Sequence, residues 1–304
     1  MQPIIEVRGL SFDYPGLRAI DNISFTLPKG SITALVGPNG AGKTTLMKCL
    51  VGLEVPMTGT ITLDGIDVLH DPAQARTRVG YLPDFFGLYE GLSVEKCMIY
   101  SALSHGIPWE NLDDKVDSAL HMVNLEGKKS AQVHELSRGM RQRLAIAQSL
   151  VHHPKILILD EPASGLDPEA RASLAQLFRR LNREGITMLV SSHILSELSE
   201  YADHLLSMRQ GRLLDQQVSI TQLKRRLVVR GLPKAENFPR IEAIAPAGTN
   251  YEEGLFYFDF TGEDKELPRL LRQIVQADFE VLEFYLERDI LQSKYLDQVR
   301  RESP

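Results

Sequence analysis

Cysteine is almost missing from this 304-residue chain, with only Cys49 and Cys97 present and no Cys-x-x-Cys spacing. That excludes a disulfide framework or a zinc site as the organising device, and a reducing compartment fits. Long hydrophobic runs are also lacking. No apolar stretch approaches the ~18 residues that cross a bilayer, and the longest pure runs, such as Ile156-Leu157-Ile158-Leu159, are strand-sized. The opening Met1-Gln2-Pro3-Ile4-Ile5-Glu6 has neither the basic start nor the apolar core of a secretory signal. The expectation is a cytosolic chain that reaches a membrane only when a partner holds it there. A basic excess is absent too: the net charge is −6, which argues against a surface that wraps nucleic acid. The short basic clusters Arg138 to Arg143 and Lys224-Arg225-Arg226 read as helical. No internal repeat or low-complexity tract is visible.

What is present is a complete phosphate-binding loop. Residues 37 to 45 read Gly37, Pro38, Asn39, Gly40, Ala41, Gly42, Lys43, Thr44, Thr45. The apolar run Ile32 to Val36 precedes the loop as a strand, and Thr44 to Leu50 opens a helix. That strand–loop–helix context is what the motif requires. The glycines let successive backbone N–H groups approach phosphate oxygens, and the helix N-terminus adds partial positive charge. Lys43 is placed to neutralise the β- and γ-phosphates, and the Thr44 hydroxyl to ligate Mg²⁺.

A second motif narrows the chemistry. Ile156 to Leu159 reads as a buried parallel strand that runs into Asp160-Glu161-Pro162. Successive side chains of a strand point to opposite faces, so the two carboxylates take separate work. Asp160 suits the Mg²⁺ shell, while Glu161 is free to orient or deprotonate an attacking water.

The length suits two domains, one large and one small, and the texture changes near residue 220. Over 1–220, antiparallel strands (Ile5 to Arg8, Ile23 to Leu27, and a pair around Asp64-Gly65) precede helical periodicity from Ser93 to Asn124, interrupted at Pro108-Trp109. A helix over Gly139 to Val151 follows. The order is then strand 156–160, helix 168–183, strand 186–191, helix 194–202, and a hairpin around Gly211. This is the rhythm of an α/β sheet with crossover helices. Ser219 to Leu227 reads as a connecting helix. Over 221–304, strands at Leu255 to Phe260 and Phe279 to Leu286 and helices at Lys265 to Ala277 and Asp289 to Val299 describe a small α+β domain.

Leu136-Ser137-Arg138-Gly139-Met140-Arg141-Gln142-Arg143 resembles the signature motif of ABC-type ATPases, with Ser137 a natural N-cap and Gly139 opening the helix. Position 138 departs from the commoner glycine. The resemblance covers residues 4 to about 220, and the remaining motifs keep the family's order. Ser164-Gly165-Leu166-Asp167-Pro168 resembles the loop that crosses between two subunits, with Asp167 its acid. Ser191-Ser192-His193 resembles the switch histidine segment, and Tyr14 matches the aromatic residue that stacks on adenine. Gly80-Tyr81-Leu82-Pro83-Asp84 resembles the glutamine loop, where Asp84 replaces the usual glutamine or glutamate and reaches Mg²⁺ through a water.

The resemblance implies an α/β fold: a P-loop ATPase core with a mixed sheet, an antiparallel β subdomain and a helical subdomain. It implies ATP and Mg²⁺ held between two such domains, with Lys43, Glu161 and His193 catalytic and the signature helix of one copy capping the nucleotide of the other. Further implications are a second ATPase subunit in a homodimer, separate integral membrane transporter subunits, no nucleic acid, and a place on the inner face of the cell membrane. The chain looks most like the single-cassette ATPase subunits of bacterial exporters. The exposed aromatic stretch Phe85 to Glu90 is the expected docking surface for a membrane partner. The rival reading, a soluble ABC ATPase acting on nucleic acid or ribosomes, calls for a second cassette, long coiled-coil insertions or basic arms, which the sequence does not contain.

Overall fold

The computed structural model describes residues 3–194, 198, 200–214, 218–219, 225–230, 250–252, 255–260, 266–276 and 283–287. They belong to two compact units, Met1–Val218 and Ser219–Pro304. The first unit opens with an antiparallel sheet. β1 (Pro3–Tyr14) pairs with β2 (Leu17–Pro28) and with β4 (Thr58–Leu63), and β5 (Ile66–Asp67) closes the edge, giving the order β2-β1-β4-β5. The period-2 pattern explains the face it buries: Ile5, Val7, Ile23, Phe25 and Leu27 all turn into the core.

The second sheet carries the site. Along its main path the strands are β3 (Ile32–Val36), β6 (Val79–Leu82), β7 (Ile156–Leu159), β8 (Thr187–Ser192), β9 (His204–Arg209) and β10 (Arg212–Leu213). They run in the order β10-β9-β3-β8-β7-β6. The pairs β3–β8, β3–β9, β7–β8 and β6–β7 are parallel. The β9–β10 hairpin is antiparallel, which makes the sheet mixed. β3, β7 and β8 are buried at every position, as expected where both faces of a parallel sheet are covered. Parallel alignment places the C-terminal ends of β3, β7 and β8 side by side, the edge where such sheets bind ligands.

Among the described residues this unit has the α-helices α1 (Lys43–Leu50), α2 (Pro72–Arg76), α3 (Val94–Ser104), α4 (Leu112–Met122), α5 (Arg138–Leu150) and α6 (Pro168–Arg183). α3, α4 and α5 pack on one another, burying Val94, Met98, Val116, Leu120, Leu144 and Ala147. Ser93 caps α3, and a 3-10 turn at Trp109–Asn111 separates it from α4, where the sequence has Pro108-Trp109. The last turn of α5 is fixed to β6. Ser149 Oγ donates to the Tyr81 carbonyl at 3.1 Å, and a Cβ on Gly80 would overlap the Ser149 carbonyl. Cys49 and Cys97 are free thiols, both buried in helices.

The second unit is α+β. β12 (Arg225–Arg230), β13 (Asn250–Glu252), β14 (Leu255–Phe260) and β15 (Glu283–Glu287) form an antiparallel sheet in the order β13-β14-β12-β15, accompanied by α7 (Leu267–Gln276). One expectation fails here. The helix read over Ser219 to Leu227 is replaced by strand at both ends, the short β11 (Val218–Ser219) and the start of β12. The Leu227-Val228-Val229 run favours extended backbone, and pairing of β12 on both sides, with β14 and β15, completes its hydrogen bonds. The helix expected over Asp289 to Val299, and part of that over 194–202, lie outside the described residues.

Candidate nucleotide site

The loop between β3 and α1 is held open by its own backbone. Gly42, the N-cap of α1, has φ +101°, a left-handed conformation that side chains oppose. A Cβ there would also strike the Ala19 carbonyl of β2. Ala41 N–H donates to the Pro38 carbonyl at 3.1 Å, which curls residues 38–41 ahead of the helix. Lys43 is 7% exposed and folds back across the loop. Its Nζ donates to the Gly37 carbonyl at 2.7 Å and lies 3.5 Å from Glu161 Oε1. Thr44 is exposed at the first turn of α1, and Thr45 is buried beneath it.

The two carboxylates stand beyond the end of β7. Asp160 is 1% exposed. Alternation along a strand was expected to separate it from Glu161, but the backbone has already left the strand. Glu161 adopts φ +48°, a conformation that costs a non-glycine residue on the order of 1 kcal/mol. That twist swings its carboxylate toward Lys43 and His193, whose Nδ1 lies 2.8 Å from Oε2. Ser191 of β8 ties the pair together. Its hydroxyl donates to Asp160 Oδ1 at 2.6 Å and accepts from the Glu161 N–H at 2.8 Å. Sequence reasoning missed this residue. The available signal was a pair of hydroxyls, Ser191-Ser192, ending an otherwise apolar strand beside the acidic one.

Asp84 follows β6 and shares a depression with Glu161, Phe85, Phe86, Arg138 and Ser164. Its carboxyl is pushed up from the ordinary range by burial, then by Asp160 and Glu161; His193 and Lys43 pull it back down. Asp84 therefore lies within electrostatic reach of both acids, His193 and Lys43. Burial also pushes the Tyr81 phenol up, helped by Asp160 and Asp84.

Ser137 caps α5 by accepting from the Met140 N–H at 3.3 Å, and Asp167 caps α6 by accepting from the Ala170 N–H at 2.9 Å. These two exposed N-termini face one another within the chain. A Cβ on Gly139 would stand 3.3 Å from the Ala170 Cβ, and Arg138 Nη2 donates to the Ser164 carbonyl at 3.2 Å. Gly165, at φ +66°, makes room for the Arg138 guanidinium, which occupies the place a Cβ would take. Arg138, the departure from the family pattern, thus fastens the signature helix to the Ser164–Asp167 loop. Tyr14, half-buried at the tip of the β1–β2 hairpin, packs edge-on to Phe12 with ring centroids 4.9 Å apart.

The structure therefore brings Lys43, Glu161, His193, Asp160 and Asp84 together at the C-terminal edge of the parallel strands. Ser137, Gly139 and Asp167 form a second group around two helix N-termini. The donor set suits a hard divalent cation. Asp160 Oδ2 is buried and has no hydrogen-bond partner among the described residues, and Thr44 supplies a hydroxyl at the loop. Among the described residues no group of three or more His, Cys, Asp or Glu could hold a metal by itself. An ion at this position would need further oxygens, which a bound phosphate would supply.

Comparison with known proteins agrees with this geometry. The ABC transporter family profile matches residues 20–164. The chain is 36% identical over 214 residues to the Nod factor export ATP-binding protein I of Ralstonia nicotianae, covering 70% of this chain and 67% of that one. It is 34% identical over 227 residues to the bacitracin transport ATP-binding protein BcrA of Bacillus licheniformis, covering 74% and 73%. Among solved structures, cbiO1 of Clostridium perfringens, described as part of the ABC transporter complex cbiONQ, superposes with a TM-score of 0.66 at 29% identity, over 73% of this chain and 90% of that one. A dimeric post-hydrolysis cassette, MJ0796 bound to ADP and Pi, shares the fold with a TM-score of 0.63 at 21% identity, over 71% of this chain and 98% of that one.

Proposed function

The chain belongs to the ABC transporter family of ATP-binding proteins, and from that premise we propose how its residues divide the work of an export engine. It is an ATP-binding and ATP-hydrolysing subunit that powers transport. Among the described residues no helix is long and apolar enough to cross a membrane, so the cargo path belongs to membrane subunits. The relatives' names point to export.

In our reading the loop 37–45 takes the triphosphate, with Lys43 donating to the β- and γ-phosphate oxygens and Tyr14 against the adenine. Thr44 and Asp160, with Asp84 through a water, would hold Mg²⁺, which would neutralise phosphate charge. Glu161 accepts the proton of a water whose oxygen attacks the γ-phosphorus. The bond from that phosphorus to the bridging oxygen breaks, and ADP departs with the electron pair. His193 orients Glu161 and, with Lys43, stabilises charge on the transferring group. Ser137 and Gly139 of a second copy cap the same γ-phosphate with a helix N-terminus. Two copies form a homodimer that closes on ATP and reopens once the phosphate contact is cut. Phe85, 92% exposed, and Tyr89, 56% exposed, flank Asp84 and offer a membrane subunit an aromatic foothold beside the site. In our reading the chain works at the inner face of the cell membrane, held there by its membrane subunits.

One observation carries the assignment of roles. Glu161, at 14% side-chain exposure, sits between Lys43 at 3.5 Å and His193 at 2.8 Å. Glu161→Gln preserves shape and removes the proton acceptor. It is expected to bind ATP normally, to lose turnover by 10² or more, and to accumulate as a nucleotide-bound dimer on size exclusion. Normal turnover in that variant refutes the role.

A further inference from the structure

Away from the nucleotide site, the end of α4 and the flanks of α5 and α6 enclose a depression of about 390 Å³. Four arginines line it: Arg143 on α5, and Arg179, Arg180 and Arg183 on α6. Among the described residues no Asp or Glu lines it, nor does any residue of the 37–45 loop. Two of the guanidinium groups are pinned by neutral oxygens. Arg180 donates to Asn124 Oδ1 at 2.7 Å and to the Met122 carbonyl, and Arg143 donates to the Ser173 hydroxyl. Such bonds fix geometry and leave the charge uncompensated. Arg179 and Arg183 are exposed, one turn apart on the same face of α6, where like charges repel. Among the described residues none of the four forms an ion pair with a carboxylate, in a chain carrying 40 acidic residues against 34 basic ones.

Repulsion of this kind is offset when an anion enters. Arginine rather than lysine at all four positions supplies planar forks that match phosphate oxygens, and the volume is that of a small-ligand site. We propose that this depression is a second oxyanion site, separate from the nucleotide loop, which takes a phosphate-monoester or polyphosphate group. The group's source is either a soluble phosphate compound or a lipid headgroup. An anion here touches α5 and α6 together, the helices whose N-termini carry Ser137 and Asp167.

The test uses the full chain with Lys43→Ala, which disables the first phosphate site. Inorganic pyrophosphate is titrated calorimetrically at low salt, and phosphatidic acid vesicles are compared with phosphatidylcholine vesicles by flotation. The same measurements follow on Arg179→Gln/Arg183→Gln, whose exposed substitutions spare the core. One saturable event with pyrophosphate, or flotation specific to phosphatidic acid, is expected. The double variant should weaken it by about 100-fold, roughly tenfold for each charged hydrogen bond lost. Arg179→Lys/Arg183→Lys, which retains charge without the fork, falls between. Loss confined to pyrophosphate assigns a soluble ligand, and loss confined to vesicles assigns a lipid. Absence of both events in the parent, or their survival undiminished in the Gln variant, overturns the site.

Discussion

Replacing Ser191 by alanine removes a single oxygen, yet the consequences should reach both carboxylates. The Ser191 hydroxyl is buried, with a 2.6 Å bond to Asp160 Oδ1 and a 2.8 Å bond from the Glu161 N–H. The first is a charge-assisted bond worth about 1.5–3 kcal/mol. Losing it leaves Asp160, 1% exposed, with no side-chain hydrogen bond from the described residues on either oxygen. The second loss orphans an amide at a partly exposed turn, which costs about 1 kcal/mol. The sum is about 3 kcal/mol. For a unit of this size, 1 kcal/mol moves the melting temperature by roughly 2–4 °C, so Ser191→Ala should melt about 9 °C below wild type in scanning calorimetry. Ser192→Ala is the control, because that hydroxyl accepts from the Ile194 N–H within its own turn, at 3.0 Å. The freed Glu161 backbone should also lower kcat more than it raises KM for ATP. A melting point within 2 °C of wild type would refute the bridging argument, since the bonds would then carry no net weight.

Two further outcomes follow from the same geometry. Gly165→Ala adds a methyl where the Arg138 guanidinium lies, at φ +66°, and should reduce ATPase activity. Combining it with Arg138→Gly should restore part of the loss, a non-additivity that a double-mutant cycle measures. His152 stacks on His105 with centroids 3.9 Å apart and bonds the Val79 carbonyl through Nε2 at 3.1 Å. Burial first, then His105, lowers its pKa from 6.5 to about 4. The folded state keeps this ring neutral where the unfolded chain protonates it. Its contribution is therefore intact above pH 6.5 and is lost as the pH falls toward about 4, by up to about 3 kcal/mol. Denaturant midpoints of His152→Gln should fall less steeply than wild type across that window.

Much of the site was legible because its chemistry is local in sequence. Gly37 to Thr45 encode loop, lysine and hydroxyl in nine consecutive residues, and Ile156 to Glu161 encode a buried strand with its acids. Strand periodicity gave the wrong reason for the separate position of Glu161, because β7 ends at Leu159, before either acid. A left-handed φ at a glutamate has no sequence signature. Ser191 and the Arg138–Gly165 contact were invisible for a different cause. Each depends on which distant elements become neighbours, β8 beside β7 and α5 beside α6, and no single window contains both partners. The misread helix at Ser219 to Leu227 shows the same limit from the other side, since a basic, leucine-containing stretch yields to strand partners on both edges of β12.

The 13-residue helix α5 is about 20 Å of rigid rod with one end held and the other on duty. Its rear sits on the Gly80–Tyr81 backbone, three residues ahead of Asp84, and its tip presents Ser137. If the aromatic stretch beside Asp84 is the foothold proposed above, a push on it would reach the far tip through β6 and the rear of α5. Bulk at position 80 would lift the fulcrum. The shift would be felt at Ser137, the residue proposed to cap the nucleotide of a second copy.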